Sequence, residues 1–385
     1  MTRAFVNARV LAGDSFLVEH AVLVDGGRIA GVVAATDPRV REAEVHDLRG
    51  ASLVPGFIDC QVNGGGGALF NDAPNIDTIR RIGAAHARFG TTGFLPTLIS
   101  DDIDVMRTAI QAVDEAIGAG VPGVLGIHLE GPYLAPERRG IHNAAKFHIP
   151  LDADLALVAS LRRGRTLITL APERVTTEAI SNLAARGVIV AGGHTAADYA
   201  ATRRALDAGM RGFTHLFNAM TPMQSREPGV VGAALEDPDS WCGLIVDGYH
   251  LHPAVLRVAL AAKAQGKLFL VTDAMPPVGS DDDTFELNGE TITCRDGRCV
   301  NAQGTLAGSS LDMAAAVRNT IEQAGIAPQE ALRMASIYPA DFLGLGTTHG
   351  QIAAGYSADF VVLDKELRVR ETWIGGERVY ASVES

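Results

Sequence analysis

Between residues 53 and 272 the chain repeats one alternation: a near-continuous apolar run of strand length, then a stretch whose apolar residues recur at helical spacing. Eight such runs occur, at 53–60, 93–98, 124–129, 166–170, 188–191, 212–216, 242–246 and 267–272. Runs without polar alternation belong to strands buried on both faces, the condition of a parallel sheet covered by helices. The intervening patterns are helical. Ile103, Met106, Ile110, Val113 and Ile117 recur at three- and four-residue steps after Asp101-Asp102, which can cap the start. Leu155, Val158 and Leu161 follow Asp152 in the same way, and His252-Pro253 opens a helix with proline in the tolerated first turn. No Gly-x-Gly-x-x-Gly follows the first strand, which disfavours a doubly wound open sheet. The expected fold is α/β, a (β/α)8 TIM barrel.

The two ends of the chain read differently. Short strands at 6–10, 21–24 and 28–33, with Asp25-Gly26-Gly27 as a hairpin turn, are matched near the other end by a strand at 359–363 and a hairpin at 373–379. The expectation is a small β-sandwich domain built from 1–54 and 350–385 around a catalytic barrel at 55–349. Asn288-Gly289 and Asp296-Gly297 mark turns in a β-hairpin insert at about 282–307, after the eighth strand, and 132–150 is a long loop after the third.

Composition removes several classes of function. The 385 residues are 47% hydrophobic and carry a net charge of -12, which is ordinary for a globular chain and contrary to the basic field of a nucleic-acid binder. The first residues lack the apolar core of a signal peptide, and no run approaches the ~18 apolar residues of a membrane span. A soluble, cytoplasmic protein with no nucleic-acid or membrane partner is expected. Of the four cysteines, Cys294 and Cys299 flank the Asp296-Gly297 turn and face each other; in that compartment two reduced thiols are expected.

Barrel active sites form at the C-terminal ends of the strands. Those ends read Gln61-Val62-Asn63-Gly64, Glu130-Gly131-Pro132, Gly193-His194-Thr195, His215-Leu216-Phe217-Asn218, Asp247-Gly248-Tyr249-His250 and Asp273. Glu130, His194 and His215 make a carboxylate and two imidazoles, a set that suits Zn2+ and leaves a position open. Asp273, at the end of the eighth strand, is a natural general base beside such a centre.

These residues sit in recognisable motifs. Pro55-Gly56-Phe57-Ile58-Asp59, Ser336-Ile337-Tyr338-Pro339-Ala340 and Gly355-Tyr356-Ser357-Ala358-Asp359-Phe360 resemble the amidohydrolase superfamily. More specifically, nearly the whole chain resembles the N-acetylglucosamine-6-phosphate deacetylases within it. The carrying motifs include Gln61-Val62-Asn63-Gly64-Gly65, His128-Leu129-Glu130-Gly131-Pro132, Thr214-His215-Leu216-Phe217-Asn218-Ala219-Met220, Val271-Thr272-Asp273-Ala274 and Leu306-Ala307-Gly308-Ser309. The resemblance implies release of acetate from N-acetylglucosamine 6-phosphate, in amino-sugar catabolism and cell-wall sugar recycling. It assigns Glu130, His194 and His215 to a metal, Asp273 and His250 to catalysis, and Gly131, His142, Asn218, Ala219, Arg226, His250 and Leu306 to the sugar phosphate. Binuclear amidohydrolases carry a His-x-His pair where this chain has Gln61 and Asn63, so these are vestigial second-metal positions and one divalent ion per subunit is expected. Zn2+ is favoured, with Fe2+, Co2+ and Mn2+ as alternatives. The resemblance also implies a homodimer, in which phosphate contacts can cross the interface. Competing readings are a deacetylase of another phosphorylated amino sugar, such as N-acetylgalactosamine 6-phosphate, a cyclic-amide hydrolase, and a non-catalytic barrel scaffold.

Overall fold

The computed structural model describes residues 2–382. Eight strands form one sheet in chain order: Phe57–Val62, Thr91–Ile99, Gly126–Glu130, Arg165–Leu170, Ile189–Gly192, Gly212–Phe213, Trp241–Leu244 and Leu268–Leu270. Every neighbouring pair is parallel. The sheet closes on itself just past the eighth strand, where Ala274 bridges Val62 and the Asp273 N–H donates to the Gln61 carbonyl at 3.0 Å. Asp59 strengthens this seam: its buried carboxylate accepts the N–H groups of Gln61 and Thr272, each at 3.2 Å, and the Thr272 hydroxyl. The barrel read from the sequence is the fold the chain adopts.

Each apolar run overlaps a barrel strand, and the boundaries differ in two ways that have a physical reason. The run at 53–60 is divided at Gly56: Ser52–Pro55 pairs outside the barrel with Phe360–Leu363, and Phe57–Val62 enters it. Gly56 is obligatory here, because a Cβ would lie 2.0 Å from the Thr92 hydroxyl. The sixth and eighth strands end earlier than their apolar runs. His215 and Asp273, just beyond, hold φ angles of +32° and +53°, as His194 does beyond the fifth strand at +46°. Left-handed backbone is costly for such residues, and it turns the chain out of strand geometry at the barrel mouth.

The helices cover the barrel where their spacing predicts, with changes at their ends; Leu161 falls beyond the helix that carries Leu155 and Val158. Ile103–Gly118 buries Met106, Ile110 and Val113, but the Asp102 side chain makes no capping bond and pairs with Lys146 instead. In Asp152–Val158 the cap position falls on Leu151, whose N–H donates to Asp154 at 2.9 Å. His252 caps Pro253–Ala262 with proline in the first turn.

Strands from both ends of the chain pair in a second, eight-stranded sheet. It curls over its own apolar face, where Phe5, Val22, Leu53, Phe360 and Trp373 pack together. The curl brings the 26–27 turn to the other end of the sheet: the Ala358 N–H donates to the Gly27 carbonyl at 3.0 Å, and Arg28 bridges Ser357.

The expected hairpin insert is larger than one hairpin. Thr284–Leu287, Glu290–Arg295, Arg298–Val300 and Leu306–Ser309 form a four-stranded antiparallel sheet. Its fourth strand returns to the barrel through a bridge from Ser309 to Ala274. The Asp296-Gly297 turn has φ angles of +53° and +85°, the values of the tight turn that matches strand twist. That turn fixes Cys294 opposite Cys299 in register. The two are joined in a disulfide, which corrects the expectation of free thiols. Compartment chemistry argued for reduction, but directly opposed residues in such a pair bring their side chains into bonding range. The disulfide is buried with Leu69, Ile99, Met275, Leu287, Ile292 and Ala307, the apolar cluster that seats this small sheet on the barrel mouth.

Candidate active site

The strand ends converge on a cavity of about 510 Å3 at the barrel mouth. At its floor, Glu130 Oε1 lies 3.1 Å from His194 Nε2 and 3.0 Å from His215 Nε2, and the two imidazole nitrogens are 3.1 Å apart. All three side chains are buried. His194 Nδ1 donates to the Arg138 carbonyl at 2.8 Å, which leaves Nε2 with its lone pair facing the cluster. A lone pair and a carboxylate oxygen at this separation repel unless a positive charge sits between them. Ligand atoms within 4.8 Å of one another, oriented by a backbone carbonyl behind the ring, fit a single divalent ion. Among the described residues this is the one cluster of its kind found.

Gln61 and Asn63 lie beside this cluster and offer donors rather than lone pairs. Gln61 Nε2 donates to Glu130 Oε2 at 3.2 Å and to Asp273 Oδ1 at 3.0 Å, and Asn63 Nδ2 donates to Asp273 Oδ1 at 2.6 Å. Where a second cation would draw in carboxylates, two neutral amides hold them. Asp273 is pushed up to about 6, first by burial and then by the nearby Glu130 charge. A carboxylate so poised accepts and returns a proton close to neutral pH.

Two histidines flank the floor with fixed proton positions. His250 Nδ1 sits 2.6 Å from Asp247 Oδ2, so its other nitrogen is free to serve the cavity that the ring lines. Asp247 also accepts the backbone N–H groups of Tyr249 and His250, both at 2.8 Å. Burial opposes the charge on Asp247, yet its hydrogen bonds from His250 hold it below the usual carboxylate range. His142 Nδ1 accepts from the Ser100 N–H at 3.4 Å and lies 2.9 Å from the Ser100 hydroxyl. The proton is thereby placed on Nε2, 3.9 Å from Glu130 Oε1. Burial, then the neighbouring His194, pushes His142 down to about 3, so the ring is neutral.

Other predicted contacts divide. Asn218, Ala219 and Leu306 line the cavity. The Asn218 N–H donates to the His215 carbonyl at 3.0 Å, so of the backbone N–H groups of Asn218 and Ala219, that of Ala219 is the one left without an acceptor among the described residues. Gly131 lies outside the lining; its N–H donates to the Thr169 carbonyl, and its φ of +90° admits no Cβ, which would fall 2.2 Å from the Ser100 hydroxyl. Arg226 is exposed on the loop at 221–228 and does not line the cavity. Sequence reasoning did not single out Asp247, Ser100, Arg138 or Arg298. Asp247 carried a signal, three residues before His250 in the same motif; Ser100 and Arg138 act through groups that no motif displays.

The chain is similar to known proteins along nearly its whole length. A model of the amidohydrolase family matches residues 52–379. An N-acetylgalactosamine-6-phosphate deacetylase of Shewanella sp. (strain ANA-3) is 44% identical, over 97% of this chain and 95% of its own. The N-acetylglucosamine-6-phosphate deacetylase of Homo sapiens is 38% identical over 98% of this chain and 95% of its own. The crystal structure of N-acetylglucosamine-6-phosphate deacetylase from Pasteurella multocida superposes with a TM-score of 0.95 at 34% identity, covering 99% of this chain and 100% of that one.

Proposed function

The chain belongs to the amidohydrolase family, and from that premise we infer that it hydrolyses the acetamide of N-acetylglucosamine 6-phosphate, giving glucosamine 6-phosphate and acetate. The observation that carries this reading is the buried Glu130, His194 and His215 cluster with Asp273 beside it, at the floor of a cavity wide enough for a sugar phosphate. Those three residues hold one divalent ion, with Zn2+ favoured over Fe2+, Co2+ or Mn2+. When bound, such an ion polarises a carbonyl and acidifies water. Asp273 takes a proton from the attacking water and delivers it to the leaving amine, its orientation set by Gln61 and Asn63. His250, its Nδ1–H held by Asp247, faces the acetyl group with Nε2 and, when both ring nitrogens carry protons, donates to the acetyl oxygen as charge develops there, a role typically worth about 3–4 kcal/mol. His142 and the Ala219 N–H offer donors to the sugar and its phosphate; Asn218 and Leu306 shape the wall, and Gly131 lets the chain pass close to Ser100. Arg226 reaches phosphate from a second copy of the chain, in a cytoplasmic homodimer.

Acetate release from N-acetylglucosamine 6-phosphate, measured with and without a chelator, tests the reading. Full activity in protein stripped of divalent ions would end it. A second reading, the galactosamine epimer as substrate, is favoured by the 44% identical relative. Turnover of the two epimers at equal concentration decides between them.

A further inference from the structure

The proposed substrate carries a phosphate, and the chain around it is strongly acidic, so cations must be delivered locally. Arg226 is outside the cavity of its own subunit, and the arginines that line it are Arg138 and Arg298. Arg138 orients His194 through its carbonyl, and its guanidinium, on the loop at 132–150, also has no partner among the described residues. Arg298 belongs to the small antiparallel sheet, is exposed, and has no ion pair or side-chain hydrogen bond among the described residues. Its strand is nevertheless held firmly. The next residue, Cys299, is disulfide-bonded within the apolar cluster on the barrel mouth. The small sheet is tied to the loops on either side of the cavity. The Tyr249 hydroxyl, next to His250, donates to the Asp296 carbonyl at 2.9 Å, and Asn288 donates to the Ile141 carbonyl, next to His142, at 3.1 Å. An unpaired guanidinium is therefore carried on a stapled strand that spans the cavity mouth between two site histidines.

We propose that Arg298 is a specificity-determining residue that binds the phosphate of the substrate from within the same subunit. This rests on the phosphosugar reading above and assigns the phosphate a contact that the strand-end motifs do not contain. Guanidinium suits the role, since it forms charge-assisted, paired hydrogen bonds to phosphate oxygens. Glu137 also lines the cavity and lies beyond ion-pair distance of Arg298, so it leaves that charge available to the ligand.

The test compares kcat and KM for N-acetylglucosamine 6-phosphate and for unphosphorylated N-acetylglucosamine in wild type, Arg298→Gln, Arg298→Lys and Arg295→Gln. Arg295 pairs with Arg298 across the turn and does not line the cavity, so it reports any general damage to the sheet. Expected is a rise of about 10- to 100-fold in KM for the phosphorylated sugar in Arg298→Gln. Partial recovery is expected in Arg298→Lys, with no change for the unphosphorylated sugar or in Arg295→Gln. Equal losses on both sugars, a loss confined to kcat, or unchanged KM would overturn the role of Arg298. A wild type that does not favour the phosphorylated sugar would instead sink the substrate reading itself.

Discussion

The floor of the cavity and its rim are built on opposite principles. At the floor, Glu130, Asp273, His194 and His215 are buried on the ends of barrel strands, and hydrogen bonds from neighbours orient Glu130, Asp273 and His194. At the rim, Arg138 and Arg298 come from a long loop and an inserted sheet, and their guanidinium groups have no partner among the described residues. A floor held from behind favours one chemistry; an unpaired rim leaves ligand choice to single side chains. Catalysis and specificity should therefore separate under mutation.

The largest expected effect comes from removing a ligand. His194→Ala should lower metal content to well below one ion per chain, read by elemental analysis, with turnover lost on every substrate; full occupancy would break the assignment of the floor. Asp273→Asn should cut kcat by about 10²- to 10⁴-fold while substrate still binds. A near-normal rate would remove Asp273 from the mechanism. In metal-free protein the Asp273 carboxyl should titrate near pH 6, because burial and Glu130 favour its neutral form. A base must be ionised to act, so activity falls as pH drops through its pKa. Loading a cation beside it should lower that pKa, and infrared or carbon NMR titration of both forms checks the direction. The smallest effect belongs to Arg226, which reaches the rim only from the second copy in the proposed homodimer: Arg226→Ala should raise KM for the phosphorylated sugar by about 10-fold, within the range of a single charged hydrogen bond. Equal weakening of the unphosphorylated sugar would erase the contrast between rim and floor.

The same contrast explains what was legible in the sequence. Strand-end residues announce themselves, because a polar side chain closing an apolar run has few other reasons to be there. Glu130, His194, His215 and Asp273 were found this way and lie together. Tight turns were equally plain: Asp25-Gly26-Gly27, Asn288-Gly289 and Asp296-Gly297 all lie where their residue types demanded. What could not be read was contact across elements. Arg138 orients His194 through a backbone carbonyl, which any residue possesses. Arg298 comes from an insert whose docking depends on a buried cluster drawn from distant segments. The bond between Cys294 and Cys299 was misjudged because the compartment, and not the register, was allowed to decide.

Ser52–Pro55 lies between a strand from each end of the chain, Arg3–Ala12 on one side and Phe360–Leu363 on the other. A ribosome supplies the first neighbour at once and the second only after the entire barrel has been made. Throughout that interval Leu53 and Val54 form an open, apolar edge ready to join another nascent chain. Chains released before Phe360 should therefore aggregate, although they already contain every cavity residue, and the fraction recovered in the supernatant after expression would measure how much the last strands protect.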